Sequence, residues 1–309
     1  MQKIRFSKLN GQGNDFIIID ATQKPLQEIN LNPGQIAKIC NRHFGIGADG
    51  LIIVRNNMGG ADFFMDYYNQ DGSVAEICGN GIRCMAKFIL DKGLSGNSTL
   101  RILTRAGLKN VEILKGNIQE HKNHNNFNEK SKDPILIKVD MGKPVFEPSK
   151  IPVNIEKKDL LFGYFAGNYK LRVKNTDFTI NCVSIGNPHC VIFLDDGQVL
   201  EEIPIDNWGP VIENNAIFPK KTNVEFIKVI DNYQLKMRVW ERGVGETLAC
   251  GTGACASAVC AIVLEKAAST VINVNLPGGT LKITWMGKNS NVFLEGTAEN
   301  AFEGEYLLE

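Results

Sequence analysis

Eight cysteines stand in this sequence, and two of them are set apart by the glycine-rich turns that come directly after them. Cys78-Gly79-Asn80-Gly81 opens one apolar helical run, and Cys250-Gly251-Thr252-Gly253 opens another. A helix N-terminus leaves backbone N–H groups without intrahelical acceptors, and its dipole favours anions. A cysteine there is expected to hold a thiolate more readily than an ordinary thiol. The glycines let a ligand carboxylate approach the same N–H groups. Two such elements in one chain suit a symmetric task. One thiol removes a proton from one face of a carbon and the other delivers a proton to the opposite face, which is racemisation or epimerisation by two bases. The helix termini would hold a substrate α-carboxylate and stabilise charge developing on the carbanion. Cys40, Cys84, Cys182, Cys190, Cys255 and Cys260 read as buried apolar filler. No metal is expected: at about 100° per residue, Cys250, Cys255 and Cys260 fan out around their helix, and no Cys-x-x-Cys pair is present.

Further polar residues surround these loops in the sequence. Glu241-Arg242 precedes the second loop as Asn69 precedes the first. An arginine offers a bidentate fork to a carboxylate, whereas a glutamate accepts an ammonium group or tunes a thiol. A solvated surface pair is the alternative, and the adjoining Gly243-Val244-Gly245-Glu246 turn favours the site. His189 in Asn187-Pro188-His189 reads either as a satisfied core histidine or as a group that raises the thiolate fraction of a nearby cysteine. Asn14, Asn69, Asn187 and Asn223 all lie at turns, where asparagine is common for backbone reasons. Their matched placement in the two halves is what marks them.

That matching extends along the chain. Gly13-Asn14-Asp15 precedes the apolar run Phe16–Asp20, and Gly186-Asn187-Pro188-His189 precedes Cys190–Leu194. Asn14 and Asn187 are 173 residues apart, Gly50 and Asn223 also 173, and Cys78 and Cys250 172. Phe63–Asn69 aligns with Leu235–Glu241 at the same spacing. A constant offset across several landmarks indicates an internal duplication, and a period this long implies two similar domains. Each should be strands around one helix. Ile82, Met85, Ala86, Ile89 and Leu90 form one stripe of a helix after Cys78, and Ala254–Leu264 is apolar nearly all round, so sheet should wrap it. The expected fold is α/β: two pseudo-symmetric domains, each a curved mixed β-sheet around a central helix, with the active site in the cleft between them. The expected boundaries are 1–133, with 298–309 returning to it, and 134–297. Residues 116–133, polar and rich in Asn and Lys, read as an exposed loop without a role.

Length and composition fit this outline. The chain has 309 residues, 43% hydrophobic and 22% charged, with 34 basic and 34 acidic side chains. A zero formal net charge argues against a nucleic-acid or membrane-surface partner. The start of the sequence lacks a signal-like apolar region, and no run has the length of a membrane span. A small-molecule substrate, a cytoplasmic location and reduced cysteines are expected.

The joint set of motifs carries a family resemblance. Gly11-Gln12-Gly13-Asn14-Asp15-Phe16, Cys78-Gly79-Asn80-Gly81-Ile82-Arg83-Cys84, Gly186-Asn187-Pro188-His189-Cys190, and Trp240–Thr247 with Ala249-Cys250-Gly251-Thr252-Gly253 resemble diaminopimelate epimerase. The resemblance implies a cofactor-independent epimerase that interconverts LL- and meso-2,6-diaminopimelate in lysine and peptidoglycan synthesis, often as a homodimer. By that analogy Cys250 accepts the proton and Cys78 donates one, with roles exchanged in reverse. Gly79, Asn80, Gly251 and Thr252 would hold the carboxylate at the reacting centre. Asn69, Asn187, Asn223 and Arg242 would grip the distal end, Asn14 would line the site, and Glu241 and His189 would tune the thiols or bind the amino group. One departure is Gly50, where some members carry glutamine. Two other readings stay open: a proline-racemase-like two-cysteine epimerase, and a thiol redox or binding protein in which Cys78 and Cys250 form a regulated disulfide.

Overall fold

Phe16-Ile17-Ile18-Ile19 and Leu51-Ile52-Ile53-Val54 are apolar on every side, and runs of this kind form strands covered on both faces. In the computed structural model, which describes residues 2–23, 29–56, 59–115 and 135–308, they lie side by side as parallel strands. The chain divides into two compact units, Met1–Asp140 with Glu295–Glu309, and Met141–Leu294. The expected boundary near 133 and the polar segment 116–133 fall outside the described residues.

The first unit contains β1 (Gln2–Gly11), β2 (Asn14–Ala21), β3 (Gly50–Asn56), β4 (Phe63–Asn69), β5 (Thr99–Thr104), β6 (Gly107–Lys115) and β7 (Leu136–Gly142). The C-terminal strand Glu299–Leu308 pairs with β1 at one edge, and sequential strands then pair across to β7. The pairs are antiparallel except β2–β3 and β4–β5. Helix α1 (Pro33–Cys40) starts at a capping box between Asn32 and Gln35 and bridges β2 to β3. Helix α2 (Gly79–Asp91) packs against β1, β2, β3, β6 and the C-terminal strand.

The second unit repeats the plan with β8 (Tyr169–Val173), β9 (Thr176–Ser184), β10 (Pro188–Phe193), β11 (Asn223–Val229), β12 (Gln234–Glu241), a short β13 (Gly245–Thr247), β14 (Val271–Leu276) and β15 (Gly279–Trp285). Here the parallel pairs are β10–β11 and β12–β14. Phe16 lies opposite Gly50 in the first unit, and His189 lies opposite Asn223 in the second. The duplication therefore preserves strand register as well as strand order. Helix α3 (Ile205–Glu213) is new relative to the sequence reading; Ile205, Trp208 and Ile212 give it a helical period, with Pro210 inside it. Helix α4 (Gly251–Val263) is central and contacts β9, β10, β11, β12, β14 and β15.

The two central helices solve the same problem differently. In α4 every residue from Gly251 to Ala261 is buried, and nearly all are Gly, Ala, Cys, Ser or Thr, small enough for strands on all sides to approach closely. Its polar break, Ser257, returns its hydroxyl proton to the Gly253 carbonyl at 2.8 Å. The single buried stripe expected for α2 is a correction. Burial extends around the helix to Arg83, which is 0% exposed. Its guanidinium donates to the Gly79 carbonyl at 3.0 Å, Asn80 Oδ1 at 3.0 Å, the Thr297 carbonyl at 3.3 Å and Gln12 Oε1. A buried cation is tolerated when its donors are satisfied in this way. Arg83→Leu should therefore destabilise the protein by roughly 2–4 kcal/mol in urea unfolding, because four acceptors lose a charged donor at once. A loss as small as that of an ordinary surface substitution would contradict this account.

Candidate active site

Each unit starts its central helix on a cysteine. Cys78 has extended backbone angles (φ −135°, ψ 123°) and is the N-cap of α2; Cys250 (φ −129°, ψ 110°) is the N-cap of α4. The sulfur takes the place of the usual capping oxygen: the Gly81 N–H points at Cys78 Sγ at 3.5 Å. The Gly253 N–H acts on Cys250 Sγ in the same sense.

Around Cys78 the structure gathers Asn14, Asn80 and Gly79. Asn14 follows Gly13, whose positive φ of 82° makes the turn between β1 and β2. Its Nδ2 donates to Asp49 Oδ2 at 2.7 Å, which turns its Oδ1 toward the Cys78 thiol at 3.6 Å and Asn80 Nδ2 at 3.3 Å. Cys78 is thus held as a hydrogen-bond donor, S–H toward Asn14. Asp49 is fixed in turn by Arg42 at 2.7 Å, and Arg42 also grips Asp15 with two bonds of 2.8 and 2.9 Å. Lys8 adds a contact of 2.8 Å to Asp15. Burial alone would raise the Asp15 carboxyl, but the Arg42 and Lys8 contacts prevail and hold it at about 2. Asn69 ends β4 and donates to Ser73 Oγ at 2.9 Å, within its own turn. At Gly50, a Cβ would lie 2.7 Å from both a Tyr67 ring carbon and the Tyr68 carbonyl oxygen. The backbone there leaves no room for a side chain, so the glycine is a packing requirement in this chain.

Around Cys250 the structure gathers Thr252, Asn187, His189 and Glu241. Cys250 Sγ lies 3.5 Å from Thr252 Oγ1, and Asn187 Nδ2 donates to Thr252 Oγ1 at 3.3 Å. His189 is fully buried, with Nε2 2.9 Å from Asn187 Oδ1. The Glu241 carboxyl lies near enough to act on the Cys250 thiol through its charge, and it accepts from Thr247 Oγ1 at 2.5 Å. Asn223 stands one step away: it donates to the Pro188 carbonyl at 2.8 Å and accepts from the Arg242 backbone N–H at 2.9 Å. The Arg242 side chain is exposed and touches the Lys220 carbonyl at 3.3 Å, leaving most of its guanidinium for a ligand.

The expectation that both helix termini would favour thiolates is corrected at Cys250. Burial leads, followed by the Glu241 and Glu225 charges, and together they push this thiol well above the ordinary range. The Thr252 hydroxyl and the Gly253 N–H pull the other way and do not prevail. Burial likewise raises Glu241 and outweighs the contrary pull of Thr247 and Cys250.

Two supporting carboxylates were missed in the sequence. Glu213 on α3 accepts from Trp240 Nε1 at 2.8 Å and the Gly243 N–H at 3.0 Å, and so clamps the turn that carries Glu241 and Arg242. Its only sequence signal was a lone acid in an irregular segment. Glu225 on β11 is 0% exposed and lies 2.6 Å from His189 Nδ1. Its signal was available: a carboxylate between Val224 and Phe226 in an otherwise apolar strand.

Comparisons with known proteins agree with this geometry. Several solved structures share the fold over nearly the whole chain. They include a probable proline racemase from Agrobacterium radiobacter (TM-score 0.69, 10% identity, 99% of this chain and 93% of that one). A hydroxyproline epimerase from Agrobacterium vitis (TM-score 0.66, 8% identity, 98% and 92%) and a Bacillus anthracis PhzF-family protein (TM-score 0.62, 18% identity, 100% of both) are others. The fold defines the class, a pseudo-symmetric α/β protein of two related units. The family profile "Diaminopimelate epimerase" matches residues 6–147 and 181–300. Diaminopimelate epimerases from Halothermothrix orenii (43% identity, 99% of both chains), Leptospira biflexa (42%, 98% and 99%) and Methanococcus maripaludis (41%, 98% and 99%) are similar over their whole length. The chain belongs to the diaminopimelate epimerase family. Among the described residues no helix is long and apolar enough to cross a membrane.

The site's construction sets two expected outcomes. A Cβ at Gly253 would stand 2.8 Å from Glu225 Oε1 and 3.3 Å from Cys250 Sγ. Gly253→Ala should cost roughly 1–3 kcal/mol in thermal unfolding, since the buried carboxyl has nowhere to retreat; an unchanged melting temperature would contradict this. Asp15, held at about 2 in the fold against roughly 4 when unfolded, adds stability above pH about 4 that is lost as pH falls through about 2. The stability gap between wild type and Asp15→Asn should therefore narrow from pH 6 to pH 2 in urea titrations. A gap that stays constant would mean the ion cluster is not linked to folding.

Proposed function

We propose that the chain interconverts LL- and meso-2,6-diaminopimelate by a two-base mechanism that uses Cys78 and Cys250 and no cofactor, serving lysine and peptidoglycan-precursor synthesis. The observation that carries this reading is the repeated placement of a cysteine at the N-cap of each unit's central helix, at matching points of a duplicated fold. Inverting one carbon requires a base on one face and an acid on the other, and a duplicated fold supplies a matched pair of thiols. The contacts suit the roles taken from the family. Cys78 is oriented by Asn14 as a donor, and Cys250 has the Glu241 carboxyl close by, a group able to take its proton when substrate arrives. A substrate α-carboxylate at the first N–H groups of the helices, those of Gly79 and Asn80 and of Gly251 and Thr252, would share charge with the carbanion as the α-proton leaves. Arg242, whose backbone N–H bonds to Asn223 and whose side chain is exposed, suits the distal carboxylate. Asn69 and Asn187 complete that end in this reading.

The experiment is epimerisation of LL-diaminopimelate with no added cofactor, followed by chiral chromatography. Cys78→Ala and Cys250→Ala should each lower kcat by about 10³-fold or more. Near-normal turnover by either variant would remove the two-base reading.

A further inference from the structure

Glu225 takes no part in the two-base reaction, yet it is a fully buried acid behind Cys250. One oxygen, Oε1, contacts His189 Nδ1 at 2.6 Å; the other, Oε2, is buried without a hydrogen-bond partner among the described residues. An isolated buried carboxylate with an orphaned oxygen is costly, whereas a carboxyl and an imidazole that share one extra proton form a pair with no net charge. That proton can sit on Glu225 Oε1 or on His189 Nδ1. In both arrangements the hydrogen on His189 Nε2 is retained, and it faces Asn187 Oδ1 at 2.9 Å.

This hydrogen fixes the direction of every later bond. Asn187 accepts at Oδ1 and must present Nδ2, which donates to Thr252 Oγ1 at 3.3 Å. Thr252, already an acceptor, has one hydroxyl proton left, and Cys250 Sγ lies 3.5 Å away. The Glu241 carboxyl acts on the same thiol through its charge. If the pair lost its shared proton, His189 would keep a hydrogen only on Nδ1. Asn187 would have to reverse, and Thr252 would point away from the sulfur.

We propose that Glu225 is a positioning residue for the reaction: with His189 it sets the donor direction of a chain through Asn187 and Thr252 that presents a hydroxyl proton to Cys250 Sγ. The proton stays within the Glu225–His189 pair, and nothing is transferred along the chain. The charged and titratable groups that face the thiol are Glu241 on β12, Glu225 on β11 and His189 on β10, while the first turn of α4 carries none. Cys190 and Cys260 also lie near Glu225, and burial keeps both protonated. Removing a nearby negative charge would by itself make Cys250 more acidic. Disordering the chain would make it less acidic, so the sign of the effect separates the two.

The proposal rests on Cys250 being an acid–base thiol, but its test needs no turnover. Nitrogen-15 NMR of the full chain labelled at histidine, with His189→Gln to identify the signal, should show a hydrogen on His189 Nε2 throughout the neutral range. A lone-pair Nε2 would overturn the proposal without any Glu225 variant. Iodoacetamide labelling at pH 8, read peptide by peptide, should stay near the wild-type rate at Cys250 in Glu225→Gln, whose amide can donate to His189 Nδ1 in place of the acid, and should be slower there by roughly three- to tenfold, with Cys78 unaffected, in Glu225→Leu. An unchanged or faster rate in Glu225→Leu, as from charge removal or looser packing, would overturn it. In the epimerase assay Glu225→Leu should lose kcat at constant KM. Failure of the wild type to epimerise would leave the NMR and labelling results standing and strike only the function on which they build.

Discussion

Burying a helix on all sides leaves its N-terminal N–H groups with few acceptors, and the rest of this structure answers that constraint. The first helical residues of α2 and α4, Gly79 and Gly251, are both buried. At α2 the Cys78 sulfur takes one of these N–H groups, and glycine at the third helical position lets it approach. The remaining donors are poised for an anion. In the proposed reaction a substrate carboxylate would complete these helices electrostatically. Packing and chemistry arise from the same requirement.

The two halves, alike in backbone, are unlike in charge. The Cys78 loop is held by a neutral amide, with its ionic support one layer out in Asp49, Asp15, Arg42 and Lys8, and with Arg83 beneath it. The Cys250 loop instead faces two carboxyls and an imidazole, and burial lifts its thiol. Duplication fixed where the sulfurs lie; divergence of the surrounding side chains fixed how each holds its proton. A thiol that is too readily ionised would be a poor acid in the reverse direction, so a buried, protonated resting state at Cys250 suits an enzyme that must run both ways.

Much of this was legible in the residues. The constant offset between Asn14 and Asn187 and between Cys78 and Cys250 revealed the repeat, and the structure reproduces it down to strand register. The all-apolar stretch after Cys250 correctly indicated a helix enclosed by strands. What stayed hidden depended on tertiary partners. The buried side of Arg83 is invisible in a pattern that treats every charge as solvated, because two of its acceptors, on Gln12 and Thr297, are distant in sequence. Helix α3 carries Pro210 in its interior, a residue that usually argues against a helix, yet its Glu213 holds the Trp240–Gly243 turn. Thiolate stabilisation at Cys250 was inferred from the helix dipole alone, and desolvation outweighed it.

The most direct test of the paired-thiol account is the fate of solvent deuterium early in the reaction of LL-diaminopimelate in heavy water. Two bases on opposite faces place deuterium from one thiol on the inverted carbon while the other thiol keeps the abstracted proton. The meso product should carry one deuterium at that carbon from the first turnovers, and the remaining LL substrate should carry almost none. Deuterium entering the unreacted LL substrate as fast as meso product forms would mean that one group serves both faces, and the pairing of Cys78 with Cys250 would be wrong.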